Sequence, residues 1–330
     1  MPILSKNRCT ILAEIGSNHD GSLERAKKLI VLAKESGADA VKFQSFQAET
    51  LCFHAHPAFA VVRENQLPLQ WLAPLMKYAE ENRIAFLSTP FDLESLQQLA
   101  SLQVPAIKIA SGDLTYHELL QEAAKTAIPI FLSTGHAALD EVKEALAALE
   151  KGGCKQVVLL HCTSLYPALP KDVNLRAMQT LASTFNVPVG FSDHTLDEVA
   201  MLGACALGAV VLEKHFTDDK TRHGPDHSHS MEPEEFFGMV KKIRQLEQSL
   251  GNGEKVPRPA EEQERIWARR ALYSAKKIPE GKILERDDLK VVRPANPDGI
   301  GAASLFGVIG KKAKITMQED ELIRWTDISS

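Results

Sequence analysis

The chain has 330 residues, of which 44% are hydrophobic and 25% are charged, and its formal net charge is -5. This length and composition are typical of a globular protein with one large domain and one small domain, and they exclude extensive disorder. Acidic and basic residues are interspersed along the chain, so the sequence predicts no surface for nucleic acid or an anionic membrane, and a small-molecule partner is favoured.

The cysteines and the N-terminus bear on the cellular compartment. No CxxC pair occurs among the five cysteines, which argues against a disulfide framework and a zinc-thiolate site. The apolar run near the N-terminus is too short for a signal peptide and ends in an acidic residue. No apolar stretch approaches the ~18 residues of a membrane span. We therefore expect a cytoplasmic protein with reduced cysteines and no membrane partner.

Short apolar runs of strand length alternate with amphipathic runs of helix length, a pattern that predicts a parallel sheet of strand-helix units. In chain order, the predicted strands are CTILAEI, DAVKFQ, IAFLST, AIKIAS, IPIFLST, QVVLLHC, VPVGFS and AVVLEKHF. Eight such units in about 250 residues predict a closed (β/α)8 TIM barrel of the α/β class. An open doubly wound sheet is the alternative, but no glycine-rich dinucleotide motif follows a strand.

The C-terminal part of the chain changes in character. A polar segment, GNGEKVPRPAEEQE, predicts a linker over 252–267. Beyond it, the strand-like runs ALYSAKK, LKVVRP and AKITM alternate with the turn signals PEGK and NPDG. The sequence therefore predicts a barrel domain over 1–251 and a small β-rich domain over 268–330. A domain of that size is marginally stable alone, so we expect it to pack on the barrel or on a partner subunit.

Two lysines lie within apolar strands, Lys42 in the second and Lys108 in the fourth. A buried ammonium is costly unless an anion pairs with it, so both are candidates for binding one anionic ligand. The alternative is that both point outwards past the barrel helices. Serine and threonine residues also follow the strands, at the barrel end where TIM-barrel active sites lie, although such residues often cap the following helix.

Histidines end the last two predicted strands. His194 and His215 follow strands that are neighbours in a closed barrel, so their imidazoles can reach one divalent ion. Glu213 shares strand parity with His215 and faces the same mouth. A single histidine in such a place is more often structural, so the pair beside a carboxylate is what favours a metal site. In the following loop, His223, His227 and His229 are either further ligands or, as we expect, solvated. For His54 and His56, in the loop after the second strand, substrate contact and plain surface remain equal alternatives.

The motifs occur together in one order: AEIGSNHDGS, DAVKFQ, FLSTPFD, IKIASGDL, LSTGHA, LLHCTSLYP, VGFSDHT, EKHFT, GPDHSHSMEP, RRALYSAKKIPEGKIL and VVRPANPDGIG. With these motifs the chain resembles bacterial sialic acid (N-acetylneuraminate) synthases over essentially its full length, including their C-terminal antifreeze-like (SAF) domain. The resemblance implies a phosphoenolpyruvate-dependent, C-C bond-forming transferase. It would condense phosphoenolpyruvate with N-acetylmannosamine or a related N-acylated amino sugar, giving a nine-carbon 2-keto sugar acid and phosphate.

The resemblance also implies a divalent metal cofactor, Mn2+ with Mg2+ or Co2+ as alternatives, and a domain-swapped homodimer. His194 and His215 would hold the metal. Arg293 would reach the partner subunit's site and hold the N-acyl group. The remaining implied roles are phosphoenolpyruvate binding by Lys42, Thr89, Lys108, Ser111, Ser133 and Ser192, contact with the open-chain sugar or its attacking water by Glu14, Glu213 and Asp226, and lining of the sugar site by Tyr166.

Two departures from the family pattern bear on the acceptor. His136 stands where many relatives have methionine, and the loop from Arg293 to Ile300 contains Ala295-Asn296-Pro297 in place of a glycine-rich sequence. The acceptor could therefore be a precursor of legionaminic or pseudaminic acid, or of a spore-coat polysaccharide sugar. Two other functions remain as alternatives: a synthase that uses a phosphorylated aldose, for which the sequence shows no additional cationic cluster, and a non-catalytic carbohydrate-binding protein.

Overall fold

Eight parallel strands close into a barrel in the first of two compact units, Met1–Gly251 and Asn252–Ser330. The structure, a computed structural model, describes residues 3–5 and 8–329. Each strand pairs with the next, and the barrel closes where Glu14 of the first strand lies opposite His215 of the last. This confirms the predicted (β/α)8 barrel. The strands are β1 (Thr10–Gly16), β2 (Ala40–Ser45), β3 (Ala85–Pro90), β4 (Ile107–Ile109), β5 (Ile130–Ser133), β6 (Val157–Cys162), β7 (Val189–Asp193) and β8 (Val211–His215).

Helices surround this barrel and begin where the sequence offers capping side chains. Ser22 accepts a hydrogen bond from the Arg25 backbone at the start of the first helix, and Asp92 accepts one from Ser95 at the start of the fifth. The helices of this unit are α1 (Leu23–Glu35), α2 (Ala48–Leu51), α3 (Phe59–Asn65), α4 (Leu72–Glu81), α5 (Leu93–Ser101), α6 (His117–Lys125), α7 (Leu139–Lys151), α8 (Pro170–Val173), α9 (Ala177–Phe185), α10 (Val199–Ala206) and α11 (Pro233–Leu250).

The barrel interior is apolar at its lower levels and polar at its C-terminal mouth. Because side chains alternate along a strand, inward residues two positions apart stack in successive layers. Leu12 and Ala40 belong to a buried apolar cluster inside the barrel, and Glu14 and Lys42 are the next inward residues on the same strands. Along each strand, the inward side chains are therefore apolar in the barrel core and polar at the C-terminal mouth. The buried members of the interior cluster are Leu12, Ala40, Leu87, Ala106, Phe131, Val158, Leu160 and Val211.

The second unit is a small β-containing fold with its own core. Its elements are α12 (Glu262–Ala268), β9 (Ala271–Ser274), β10 (Leu289–Val292) and α13 (Leu305–Val308), and the two strands are antiparallel. Leu272, Ile300 and Ile323 are among its buried apolar residues.

Two details of the C-terminal region differ from the sequence prediction. The predicted linker over 252–267 contains most of helix α12. The predicted strand AKITM forms only isolated bridges, from Ala313 to Ile328 and from Met317 to Ile278. An alternating pattern in so short a run does not ensure that a partner strand pairs with it along its whole length. Among the described residues, no helix is long and apolar enough to span a membrane.

Candidate active site

A cavity of about 410 Å3 opens at the C-terminal mouth of the barrel. Every site residue predicted in the barrel lines it except Asp226, which lies beside it in the loop after β8. Strand alternation accounts for this convergence, because the last inward position of each strand faces the barrel axis. The lining residues are Glu14, Lys42, Gln44, Thr89, Phe91, Lys108, Ala110, Ser111, Gly112, Ser133, His136, Cys162, Ser164, Tyr166, Ser192, His194, Glu213 and His215.

Lys42 lies between two buried carboxylates. Its Nζ is 2.7 Å from Glu14 Oε2 and 3.8 Å from Glu213 Oε2. Burial raises the pKa of Glu14, whereas Lys42 and Lys108 outweigh burial and lower the pKa of Glu213 to about 2. Burial also opposes the charge on Lys42, but Glu14 and Glu213 hold the pKa of this lysine above its usual value. The two carboxyl groups thus have different proton affinities within one cavity.

Lys108 is also buried, but its charge is balanced less well by neighbouring groups than that of Lys42. Its Nζ donates to the Ile109 carbonyl at 3.1 Å, and no ion pair of Lys108 occurs among the described residues. Burial lowers the pKa of Lys108. A bound anion would therefore stabilise this ammonium more than it would stabilise a lysine in water.

Hydroxyl groups surround the two lysines. Lys42 Nζ donates to Thr89 Oγ1 at 3.1 Å, and Ser192 Oγ donates to Glu213 Oε1 at 2.9 Å. Ser111 Oγ accepts from the Gly135 backbone at 2.9 Å, while the buried Ser133 Oγ has no hydrogen-bond partner within the described chain. These groups, with the lysines, form a set of donors suited to an anion such as a carboxylate or a phosphate.

Three imidazoles and one phenol ring meet on the β7–β8 side of the cavity. The ring centroids of His194 and His215 are 5.4 Å apart, and those of His215 and His229 are 4.8 Å apart. The Tyr166 ring lies 4.1 Å from that of His194 and 5.2 Å from that of His229. Burial lowers the pKa of His215 to about 3 and also lowers the pKa of His194 and of His229. The imidazoles are therefore neutral near pH 7, the form that ligates metals.

The side chains present fit a divalent ion. His194 Nδ1 lies 2.8 Å from the Thr163 carbonyl, to which it donates, so its Nε2 carries the lone pair. His215 Nδ1 is buried without a hydrogen-bond partner in the described chain. One ligand atom each from His215, Asp226 and His229 lie within 4.8 Å of one another. Imidazole nitrogens next to a carboxylate are a donor set for transition metals.

The prediction that the three loop histidines are solvated is wrong for two of them. His227 and His229 are 0% and 4% exposed, and only His223 is exposed. His227 Nε2 lies 2.8 Å from Asp20 Oδ1, and its Nδ1 lies 2.7 Å from Thr217 Oγ1. The HSH motif in the loop after β8 was the sequence signal that could have marked these histidines as part of the site. Their burial could not be predicted from it, because this loop contacts the loop after β1, which is about 200 residues distant in sequence.

The remaining predicted residues lie outside the barrel strands. Arg293 belongs to the second unit, where it follows β10 and is exposed. His54 and His56 are exposed in the segment between α2 and α3, where the His54 ring packs 4.6 Å from Phe59 and His56 Nδ1 accepts from the Ala58 backbone at 3.1 Å. Neither of these two histidines lines the cavity.

Comparison with known proteins identifies the family. Residues 29–255 match the family model described as the NeuB family, and residues 269–329 match the SAF domain. The chain belongs to the NeuB family. The resemblance drawn from the sequence motifs is thereby confirmed, together with the SAF fold of the small C-terminal domain.

NeuB-family relatives cover nearly the whole chain. The N,N'-diacetyllegionaminic acid synthase of Campylobacter jejuni is 43% identical over 95% of this chain and 98% of its own length. The human N-acetylneuraminate-9-phosphate synthase is 36% identical over 96% of this chain and 91% of its own. The solved structure of an N-acetylneuraminic acid (sialic acid) synthetase from Leptospira borgpetersenii superposes with a TM-score of 0.75, at 35% identity, over 78% of this chain and 90% of that one.

The NeuB match begins in helix α1 and therefore includes β2 to β8 but not β1. Lys42, Lys108 and the histidines of the cavity lie inside the matched range, and Glu14 precedes it. Glu14 is placed in the site by its contacts instead, since it pairs with Lys42 and accepts a hydrogen bond from Gln44 Nε2 at 2.8 Å.

Proposed function

We propose that the chain condenses phosphoenolpyruvate with an N-acylated amino sugar, N-acetylmannosamine or a 2,4-diacetamido relative, to give a nine-carbon 2-keto sugar acid and phosphate. The observation that carries this proposal is the convergence of two buried lysines, two buried carboxylates and neutral imidazoles in one cavity of a NeuB-family barrel. Relatives that span the chain are named as synthases of such acids.

Phosphoenolpyruvate is assigned to the side of the cavity that holds the lysines. Lys108, which lacks a carboxylate partner in the described chain, would pair with the anion, and Lys42 would share it with the two glutamates. A preorganised cation in a water-poor site stabilises the phosphate as the C-O bond to it breaks. Hydroxyl donors assigned to the same ligand are those of Thr89, Ser111, Ser133 and Ser192.

The two glutamates are assigned different tasks because their proton affinities differ. Glu213 remains ionised, with its Oε1 held by Ser192 and its charge balancing the lysines. Glu14, whose pKa is raised by burial, is the group able to accept a proton from the water that adds to C2 of the former phosphoenolpyruvate, and later to return it. Two carboxyl groups whose pKa values are shifted apart by their surroundings in this way are typical of acid-base catalysis.

The acceptor sugar is assigned to the β7–β8 side. Tyr166 would line its site, and Asp226 would act on the open-chain sugar from the loop after β8. His194 and His215 would hold the divalent ion, for which we propose manganese, with magnesium or cobalt as alternatives. When bound, such an ion polarises the acceptor carbonyl as a Lewis acid.

We propose that the working unit is a cytoplasmic homodimer in which Arg293 of one subunit holds the N-acyl group of sugar bound in the other. Arg293→Ala should then raise the KM for sugar without weakening phosphoenolpyruvate binding. Mixing this variant with His194→Ala should restore part of the activity, because one site of the mixed dimer would be intact. No recovery in a mixture shown to exchange subunits would remove the shared-site proposal.

The acceptor itself has one specific competitor. The human relative is named as a 9-phosphate synthase, and carbon 9 of such a product comes from carbon 6 of the sugar. A 6-phosphorylated N-acetylmannosamine is therefore a second candidate acceptor, besides the precursors of legionaminic, pseudaminic and spore-coat sugars. A non-catalytic carbohydrate-binding role would require that none of these sugars supports turnover.

The test is phosphate release from phosphoenolpyruvate with Mn2+ present, screened over N-acetylmannosamine, its 6-phosphate, its 2,4-diacetamido-6-deoxy relatives and arabinose 5-phosphate. We expect release with one N-acylated sugar, its loss with a chelator, and a product mass equal to the sum of sugar, phosphoenolpyruvate and water less phosphoric acid. Release with arabinose 5-phosphate alone would change the acceptor class. No release with any sugar would overturn the enzyme assignment.

A further inference from the structure

A cluster of two cysteines and one glutamate lies at the N-terminal end of the barrel, opposite the cavity. Cys9 directly precedes β1, Cys205 lies in the last turn of α10 and Glu247 lies in the last turn of α11. One ligand atom from each residue lies within 4.8 Å of the other two. None of these three residues lines the cavity, so the cluster is separate from the site proposed for catalysis.

The spacing of these atoms suits one metal ion. Ligand atoms that surround an ion tetrahedrally, with bonds of about 2.0–2.3 Å, lie about 3.3–3.8 Å from one another. Cys9 Sγ lies 3.0 Å from Glu247 Oε1, and Cys205 Sγ lies within 4.8 Å of both atoms. Side-chain shifts of about 1 Å would therefore bring all three atoms to ligand positions around a single ion.

Both cysteines are buried, and the carboxylate beside them is held in place. Cys9 and Cys205 are each 4% exposed, and both are free thiols. Glu247 Oε1 accepts hydrogen bonds from the Cys9 backbone at 2.7 Å and from Arg244 Nη1 at 3.0 Å. Arg244 Nη1 also donates to the Cys9 carbonyl at 2.9 Å. Partners that orient metal ligands in this way are typical of metal sites.

The charges around the cluster can accommodate a divalent ion. Arg244 Nη2 lies 2.6 Å from Asp39 Oδ2, and Arg8 Nη2 lies 2.6 Å from Asp39 Oδ1. With both thiols protonated, the charges of the two arginines balance those of Asp39 and Glu247. A divalent ion that replaces the two thiol protons leaves this balance unchanged, so its binding creates no unpaired buried charge.

We propose that Cys9, Cys205 and Glu247 bind a thiophilic divalent ion of the Zn2+ class, with water in the fourth position. The ion forms bonds to the two sulfurs and one carboxylate oxygen, and the two thiol protons pass to solvent. Thiolate ligands select Zn2+ over Mg2+ and Mn2+, which oxygen ligands suit better. The ion ties α10 and α11 to the start of β1. This site goes beyond the proposed function and does not depend on it.

The spacing of cysteines along the chain gave no sign of this cluster. The absence of a CxxC pair argued against a zinc-thiolate site, but that argument applies to ligands that lie on one loop. Cys9 and Cys205 come together because β1 pairs with β8, and α10 is the helix that precedes β8. Closure of the barrel thus unites ligands from its first and last strand-helix units.

The competing arrangement is a buried pair of thiols that binds no ion. In it, Cys9 Sγ donates to Glu247 Oε1 at 3.0 Å and Cys205 is an ordinary member of the apolar core. This arrangement predicts that neither sulfur becomes a metal ligand, so the absorption of a bound metal distinguishes it from the proposed site.

The experiment is a Co2+ titration of the full chain, kept reduced and freed of metal with a chelator. A thiolate bound to Co2+ gives a near-ultraviolet charge-transfer band, which we expect in the wild type. Cys9→Ser and Cys205→Ser should each lose at least half of its intensity, since each removes one of the two thiolates. Cys162→Ser is the control and should keep the band, because Cys162 lines the cavity, 3.8 Å from His194 Nδ1.

A third variant tests the carboxylate without removing a sulfur. Glu247→Gln keeps an oxygen that can accept from the Cys9 backbone, so it should keep the band but require at least about tenfold more Co2+ to develop it. Glu234→Gln, in the same helix but exposed, is its matched control and should titrate as the wild type does. Thermal unfolding of the metal-free variants shows which are folded, and Glu247→Gln decides if both serine variants fail to fold.

The absence of a band in the wild type overturns the proposed site, as does a full band in folded Cys205→Ser or an unchanged titration of folded Glu247→Gln. A band that disappears in Cys162→Ser instead would place the thiolate-bound ion in the cavity and would also overturn it. The proposed function is judged separately, by phosphate release, so either proposal can fail while the other stands.

Discussion

Lys214 Nζ lies 2.6 Å from Asp193 Oδ2, and both side chains are 0% exposed. Lys214 also donates to the Thr195 carbonyl and, at 3.1 Å, to the Asp197 carbonyl. Because side chains alternate along strands, this pair lies on the outer side of β7 and β8 while the adjacent His194 and His215 face the cavity. The ion pair therefore links the C-terminal ends of β7 and β8, where His194 and His215 lie.

The first prediction concerns this pair. Lys214→Met leaves Asp193 buried without its cation, and we expect it to lower the free energy of unfolding by about 3–5 kcal/mol, measured with urea. Lys220→Met is the matched control, because Lys220 and Glu235 are as close, 2.6 Å, but 37% and 46% exposed. That change should cost at most about 1 kcal/mol. Equal losses for the two variants would show that burial does not determine the strength of the Lys214 pair.

The second prediction separates the two cavity lysines. Lys108→Met removes a buried cation that lacks a carboxylate partner in the described chain, so stability should be unchanged or higher while phosphoenolpyruvate binding weakens at least about tenfold. Lys42→Met leaves Glu14 and Glu213 facing each other, so it should also lower the free energy of unfolding, by about 3–5 kcal/mol. Urea unfolding and ligand titration test both. A destabilised Lys108→Met variant with normal binding would remove Lys108 from the anion site.

The third prediction concerns Gly16, which ends β1 at a φ of +53°. A Cβ there would lie 2.7 Å from Asp226 Oδ2, so Gly16→Ala should displace this carboxylate and raise the KM for sugar. Gly21→Ala is the control, because Gly21 has a φ of +64° but no atom closer than 4.0 Å. Both changes should cost about 1–2 kcal/mol of stability, and only Gly16→Ala should raise the KM for sugar, measured by phosphate release. Equal KM values for the two variants would mean that Asp226 does not act on the sugar.

The fourth prediction concerns pH. Burial lowers the pKa of His19 to about 4, against about 6.5 in an unfolded chain. Between these values the unfolded state binds more protons, so stability falls as pH is lowered from about 6.5 to 4. His19 should account for about 2 kcal/mol of the loss at pH 4.5.

In His19→Gln that part of the pH dependence should disappear, because glutamine does not titrate and can still accept the hydrogen bond that the Gly21 backbone donates to His19 Nδ1. Urea unfolding at a series of pH values measures this slope. An unchanged slope would place the pH dependence in other groups, of which His215, with a pKa of about 3, is the next to test.

Much of the architecture was predictable because it rests on local patterns. Apolar runs with strand alternation placed all eight barrel strands. The largest difference at a C-terminal strand end is in β4, which ends at Ile109, two residues before its predicted run, because Ser111–Asp113 form a 3-10 helix. Strand parity also placed Glu213 and His215 at one mouth. For Lys42 and Lys108 the sequence left an outward orientation open, and the structure turns both into the cavity. The run AKITM was predicted as a strand from the same kind of pattern, but pairing requires a partner that no local pattern reveals.

By itself, the sequence determined the barrel, the small SAF domain, the family and the residue types gathered at the strand ends, because alternation and motif order are properties of consecutive residues. The tertiary structure decided how those residues differ. Lys42 pairs with a carboxylate, Lys108 has no such pair among the described residues, and His229 is buried beside Asp226 rather than solvated. The physical reason is that the charge and hydration of an ionisable group depend on its neighbours in space, and here the loop after β8 packs on the β1 loop from the other end of the barrel sequence.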